Sequence, residues 1–228
     1  MNKQLSSLFL LLLIVLPLQA IELNVRDLGA KGDGKHLDHV AINQAIDSCV
    51  AQGGGRVVVP SGRYLCGSIR LKSHVELHLE AGAVIVAAPA SMKAYDESEP
   101  FEGPEYQDGG HTYFHNSLIW ADGQTNIAIT GQGMIDGEGL TRKDTERSGQ
   151  VQGGSIGTGD KAVALKCCRQ VLLRDFTIFR GGHFGVIITG CELVNIDNLT
   201  IDTNRDGIDI DCCKFVSVTN SKINTPHD

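Results

Sequence analysis

Basic charge is the first thing this chain lacks. Twenty Lys and Arg stand against 27 Asp and Glu, a formal net charge of −7 over 228 residues. A protein that tracks phosphates needs a basic face, so nucleic-acid binding is excluded as the main role. An acidic polymer is still admitted, because a few cations can gather in one groove. Long apolar runs are also missing. Leu8 to Leu16 is too short to span a bilayer, which takes roughly 20 apolar residues, and no later segment is long enough either. No cysteine follows that run closely, which leaves no basis for a lipid anchor there. The cysteine count is odd, at seven, so the thiols cannot all pair within one chain.

The apolar run is preceded by Lys3 and followed by Leu18-Gln19-Ala20, the layout of a cleavable secretory signal. Residues 1–20 are therefore expected to be removed, and the product to be secreted or periplasmic. Cleavage would leave 228 − 20 = 208 residues, enough for one sizeable core.

A short internal repeat organises the remainder. Its copies start at Cys168, Cys191 and Cys213 and continue as Cys-Arg-Gln-Val-Leu-Leu-Arg-Asp, Cys-Glu-Leu-Val-Asn-Ile-Asp-Asn and Cys-Lys-Phe-Val-Ser-Val-Thr-Asn. The steps are 191 − 168 = 23 and 213 − 191 = 22. A period this short, built on strand-like segments, predicts an all-β solenoid whose coils stack strand on strand. Ile127 lies 171 − 127 = 44 residues before Val171, two steps of 22, which extends the register backward. Short β-type runs such as Val57–Val59, Val75–Leu79 and Leu118–Trp120 continue the pattern.

One helix is predicted, from Asp38 to Ala51. Ile42, Ala45, Ile46, Cys49 and Val50 give it an apolar face, and Asp38 is placed to cap its start. A helix there would close the open end of a solenoid. Two polar, Gly-rich stretches, Ala87–Ser117 and Gly137–Asp160, interrupt the strands and are expected to project as loops. The second carries Arg142, Lys143 and Arg147. The column Cys168, Cys191 and Cys213 reads as stacked buried thiols, with a Cys49–Cys66 bridge as a further option. Zinc is disfavoured, because adjacent cysteines on a strand point opposite ways.

Asn204-Arg205-Asp206-Gly207-Ile208-Asp209-Ile210-Asp211 is the densest candidate for chemistry. Ile208 and Ile210 alternate with Asp209 and Asp211, so the strand should face the core on one side and water on the other. Asp206 stands where the chain turns into that strand. On the repeat register 228 − 206 = 22, so Asp228 should stand one coil beyond it. Neighbouring coils are about 4.8 Å apart, so the two acids form a candidate general acid/base pair. His183, Arg205 and His227 share the preceding column, with 205 − 183 = 22 and 227 − 205 = 22. Potentially cationic side chains beside acids suit an anionic substrate. Asp202 to Gly207 also matches the opening of a calcium loop, but its twelfth position is Cys213 rather than Glu. Gly154 to Lys161 lacks the ending of a phosphate loop. No metal or cofactor is expected.

The chain also resembles a known family. Asn24–Gly34 is similar to the opening of pectin-degrading right-handed β-helix enzymes, and Ile129-Thr130-Gly131-Gln132-Gly133-Met134-Ile135-Asp136-Gly137 resembles a second signature of glycoside hydrolase family 28, the polygalacturonases. Asn204–Asp209 is similar to that family's first catalytic motif, and Asp228 falls where its Asp-Asp pair begins. Arg205 departs from the family's usual Thr. The resemblance implies a right-handed parallel β-helix that hydrolyses α-linked galacturonic-acid polymers with inversion. Asp228 would be the general acid and Asp206 would help activate water. His183, Asn204, Arg205, Asp209 and His227 would contact substrate. The expected partner is pectin or galacturonan, with no nucleic acid and no membrane, and the full-length protein is expected to be a monomer. The family's later motifs would lie beyond residue 228, so the chain is expected to be the N-terminal part of a catalytic domain, inactive and poorly soluble by itself. A rhamnogalacturonan hydrolase or a calcium-dependent lyase is the nearest alternative. A non-catalytic β-helix adhesin is the alternative of a different class, because fold alone does not imply function.

Overall fold

The computed structural model describes residues 21–103, 109–141 and 156–226. The candidate signal, Arg142, Lys143, Arg147, His227 and Asp228 lie outside the described residues.

Alternation along short β-type runs decides the architecture. In Val75–Leu79 every second side chain is buried and the others are half-buried, so each strand offers one face to a core. Three such strands make one coil, and the coils stack into three parallel sheets of seven, seven and five strands. The result is a right-handed parallel β-helix. The first sheet runs from Ile21–Asn24 to Lys214–Thr219, the second from Asp33–Leu37 to Lys222–Asn224, and the third from Ile69–Arg70 to Asp206–Asp211.

The repeat read from the sequence is one coil. Val171 pairs with Val194, and Val194 with Val216, at the 23- and 22-residue steps. The sulfur column is present too. The Cys191 Sγ accepts the Cys168 amide at 3.3 Å, and the Cys213 Sγ accepts the Cys191 amide at 3.3 Å. All seven cysteines are free thiols; Cys49 and Cys66 are both buried and unbridged.

Four expectations need correction. Ile127 pairs directly with Val171, so their 44 residues span one coil rather than two. The surplus falls in the connection between Met134–Asp136 and Lys161–Lys166, and the strands on either side keep the register. The stretch 87–117 does not simply project. Ala88, Tyr95 and Phe114 are buried, so its described parts lie down on the coil. The helix spans His39–Ala51 and buries Ala41, Ile42, Ala45, Ile46 and Cys49, but Val50 falls off that face and is exposed. Burying Ile42 and Ile46 contributes about 1.5–3 kcal/mol each, which fixes the helix over the first coil, with Val25 and Val57 in the same core. Asp38 holds the N-cap position but makes no capping bond. Its backbone is helical rather than extended there, and its carboxylate accepts the amides of Lys31 at 2.6 Å and Gly32 at 3.0 Å instead.

Candidate active site

The corner between the second and third sheets carries the Asn204-Arg205-Asp206 turn. The strand Thr200–Asp202 ends one residue before it, and the strand Asp206–Asp211 begins within it. Thr203 anchors the turn from below. Its buried hydroxyl accepts the Gly181 amide at 3.0 Å, and its own amide donates to the Asn224 carbonyl at 3.1 Å. The coils approach closely here. A Cβ on Gly207 would stand 2.6 Å from the Ile223 side chain, and one on Gly185 would stand 2.7 Å from the Gly207 carbonyl. Glycine after Asp206 is thus a packing requirement, and it sets where the acid emerges.

Asp206 leaves the corner with a side chain 13% exposed, and its Oδ2 lies 3.7 Å from Nε of Arg205. Asn204 is exposed. The Arg205 guanidinium lies on the ring of His183, with Nη1 2.9 Å from Nδ1. His183 itself is fully buried and stacks on Phe184 at 4.4 Å between ring centroids. A direct substrate contact by His183 is therefore not what this arrangement offers. Arg205 covers the imidazole, so the ring supports Arg205 from beneath. His183 and Arg205 do meet as the repeat register expected, but the contact runs inward rather than along the surface.

The next strand position that faces outward is Asp209. Register and burial agree on the face: Val186 and Ile188 belong to the central core, whereas Ala164, Phe184 and Ile187 form a second cluster with Phe114. Trp120, Ala164, Ile187 and Asp209 succeed one another across the third sheet in one column. Ile208, on the opposite face, packs against the central core. Ile210 is 44% exposed, because among the described residues no strand of this sheet pairs beyond Asp206–Asp211.

Sequence reasoning missed the segment that crosses this face. The Nε2 of His111 lies 3.1 Å from Oδ2 of Asp209, and the His111 ring meets Phe184 edge-on at 4.9 Å. The Glu99 carboxylate accepts the amides of Phe114 and His115 at 2.9–3.0 Å, and its Oε1 lies 3.3 Å from the Lys166 ammonium. Burial pushes the Glu99 carboxyl up, but the amides of His115 and Phe114 outweigh it and hold the group below its ordinary range. His115 stacks on Trp120 at 3.9 Å, and the Trp120 indole donates to Asp96 at 2.9 Å. No periodicity marks these residues. The one available signal was that the stretch 87–117 joins the same two sheets as the Asp206 turn.

A buried ion pair lies two coils before the Asp206 corner. Lys161 has no exposed surface, and its Nζ lies 2.6 Å from Oδ1 of Asp160. The Asp160 carbonyl in turn accepts the His183 amide at 2.7 Å. Lys161 is thus committed to the interior, which removes it as a phosphate ligand.

With this geometry in place, the similarities of the chain can be set beside it. An exopolygalacturonase from Thermotoga maritima superimposes with a TM-score of 0.74 at 29% identity, covering 91% of this chain and 53% of that one. A family 28 exopolygalacturonase from Yersinia enterocolitica gives a TM-score of 0.71 at 28% identity, covering 91% and 45%. The plasmin and fibronectin-binding protein A of Streptococcus pneumoniae is 48% identical over 180 residues, 77% of this chain and 23% of that protein. The chain spans 40–51% of the length of the curated polygalacturonase relatives it matches. Among the described residues no helix is long and apolar enough to cross a membrane. Residues 23–227 match the family described as rhamnogalacturonase A/epimerase, pectate lyase-like, and with its three parallel sheets the chain belongs to that family.

Proposed function

We propose that this chain belongs to a glycoside hydrolase acting on α-linked galacturonic-acid polymers. The observation that supports the reading is the Asn204-Arg205-Asp206 turn at the corner between the second and third sheets, with Asp209 facing outward on the strand that follows. In this reading a water oxygen bonds to the anomeric carbon as the glycosidic C–O bond breaks. Asp206 accepts the water's proton, and Asp228, one repeat step further along, protonates the leaving oxygen. The anomeric centre inverts. Asn204, Arg205, Asp209 and His227 would hold the substrate, Arg205 meeting its carboxylate, and His183 would keep Arg205 in place. Such an enzyme needs no cofactor, would be secreted through residues 1–20, and would work as a monomer.

Asp206→Asn in the full-length protein tests this. Release of reducing ends from polygalacturonate should fall by about 10³-fold or more, with binding largely kept. Products with an unsaturated, ultraviolet-absorbing bond, or activity abolished by chelator, would point to a lyase instead. Faster cleavage of rhamnogalacturonan would move the substrate and leave the roles intact. A second reading, a non-catalytic adhesin, is favoured by the 48% identity to the streptococcal binding protein and by Arg205 in the family's Thr position. It would be established by a wild-type protein that binds a host protein and cleaves no galacturonan.

A further inference from the structure

Four successive strands of the third sheet begin with Ser117, Lys161, Phe184 and Asp206, which pair in register. The residues just before them are Asn116, Asp160, His183 and Arg205. These four carry polar groups, yet Asn116 and Asp160 are 2% exposed and His183 is 0% exposed. A buried polar seam thus runs along the corner, coil by coil, and reaches the surface at Arg205, which is partly exposed.

Hydrogen bonds tie the seam together. The Asp160 amide donates to the Asn116 carbonyl at 3.1 Å, and the His183 amide donates to the Asp160 carbonyl at 2.7 Å. The Ala162 amide donates to the Gly181 carbonyl at 3.1 Å, so the backbone around Lys161 holds the turn before Phe184 at both ends. That turn has no slack. Gly182 has a φ of +79°, and a Cβ on it would stand 2.4 Å from the Asp160 carbonyl oxygen. The place of Asp160 therefore sets the place of His183. The His183 ring in turn carries Arg205, whose Nε lies 3.7 Å from Oδ2 of Asp206. Asp160 is itself held by its side chain. Its Oδ1 accepts the Lys161 ammonium at 2.6 Å and the Asn116 carboxamide at 3.3 Å. A fully buried ion pair recovers little more than its desolvation costs, and apolar side chains of the same volume would fill the space as well. Stability is thus a poor account of the pair, whereas fixing a direction is something apolar packing does less well.

We infer that Asp160 and Lys161 are positioning residues for the acid site two coils away, acting through His183 on Arg205. The inference rests on the galacturonan-hydrolase reading above and adds to it the pair that sets where Arg205 meets the substrate carboxylate. Neither residue touches substrate. Their part is to keep the guanidinium at one height beside Asp206, where a displacement of about 1 Å is enough to cost about 100-fold in rate.

The test is Asp160→Asn combined with Lys161→Met in the full-length protein, which removes both charges together and keeps the volume. Kinetics are read on polygalacturonate and on its methyl ester, with denaturant unfolding alongside. The double variant should fold with its unfolding midpoint unchanged. Its KM for the free acid should rise about 10-fold or more, and its preference for the free acid over the methyl ester should shrink by a similar factor. On an Arg205→Ala background the same two substitutions should change neither quantity. His183→Phe, which keeps a ring on Phe184 and removes the ring nitrogens under Arg205, should lose the same preference. Three results would each overturn the inference while leaving hydrolysis standing: unchanged kinetics in the folded double variant, an equal further loss on the Arg205→Ala background, or a double variant that cannot fold, which would make the pair a requirement of the fold. An unmodified protein that cleaves neither polygalacturonate nor its methyl ester would bring down the hydrolase reading and this inference with it.

Discussion

His111 and Asp209 are 98 residues apart in the chain and 3.1 Å apart at Nε2 and Oδ2. The contact joins the segment crossing the third sheet to the strand that begins with Asp206. His111 acts here as a positioning residue, since the group it touches is Asp209. A double-mutant cycle of His111→Ala and Asp209→Ala should show a coupling of about 0.5–3 kcal/mol in urea unfolding. In the full-length enzyme His111→Ala should raise KM more than it lowers kcat. Additive single effects on stability would mean the two side chains do not interact in solution.

The Glu99 clamp should fail in acid. Its carboxyl sits below its ordinary value of 4.5, burial being outweighed by the His115 and Phe114 amides. The folded state therefore holds the ionised form more tightly than the unfolded state does. That stability is fully present above pH 4.5 and is lost as pH falls below it through the depressed folded value. The unfolding temperature of the native protein should drop more steeply on this acid limb than that of Glu99→Gln. Parallel curves would contradict the assignment.

Asp136, the aspartate of the second sequence signature, is structural. It is 5% exposed, and Arg180 from the next coil grips it with Nε–Oδ1 at 2.9 Å and Nη2–Oδ2 at 2.6 Å. Arg180 is partly exposed, so the pair is screened on one side. Asp136→Ala should cost about 1–3 kcal/mol in denaturant unfolding. Arg180→Lys should recover little, because a lysine cannot make the two-pronged contact. Full recovery by lysine would show that charge alone matters.

Thiol chemistry should separate the two adjacent-cysteine pairs. Cys167 and Cys212 are exposed, whereas Cys49, Cys66, Cys168 and Cys191 are buried and Cys213 is half-buried. In the folded protein a thiol reagent should modify Cys167 and Cys212 first. Mass mapping after a short exposure should find label on those two, with the other five following on unfolding. Early label on Cys168 or Cys191 would contradict the sulfur column.

The legible part of this fold was the part that repeats. Val171, Val194 and Val216 occupy one column because each coil must return its strand to the same hydrogen-bonding partner, so a spatial constraint became a sequence period. The Asp206 turn was legible for the same reason. The error over Ile127 shows the limit: a 44-residue gap is two periods by count, yet it is one coil here, the surplus falling in the connection between Met134–Asp136 and Lys161–Lys166. Counting cannot tell an insertion from a further coil. The helical backbone at Asp38 likewise turned an expected cap into a turn anchor, a choice made by local geometry rather than residue type.

The sequence by itself determined the solenoid, the helix over its first coil, the thiol column and the acids on the outward face of the third sheet. All of these follow from periodic burial, which any stacked strand must show. The tertiary structure alone decided that His183 lies beneath Arg205, that Lys161 is buried on Asp160, and that His111, Glu99 and Phe114 cross the outer face before Asp209. Those contacts join residues far apart in the chain through an aperiodic segment. Their energy comes from surface covered and charges paired across coils, and neither leaves a period in the sequence.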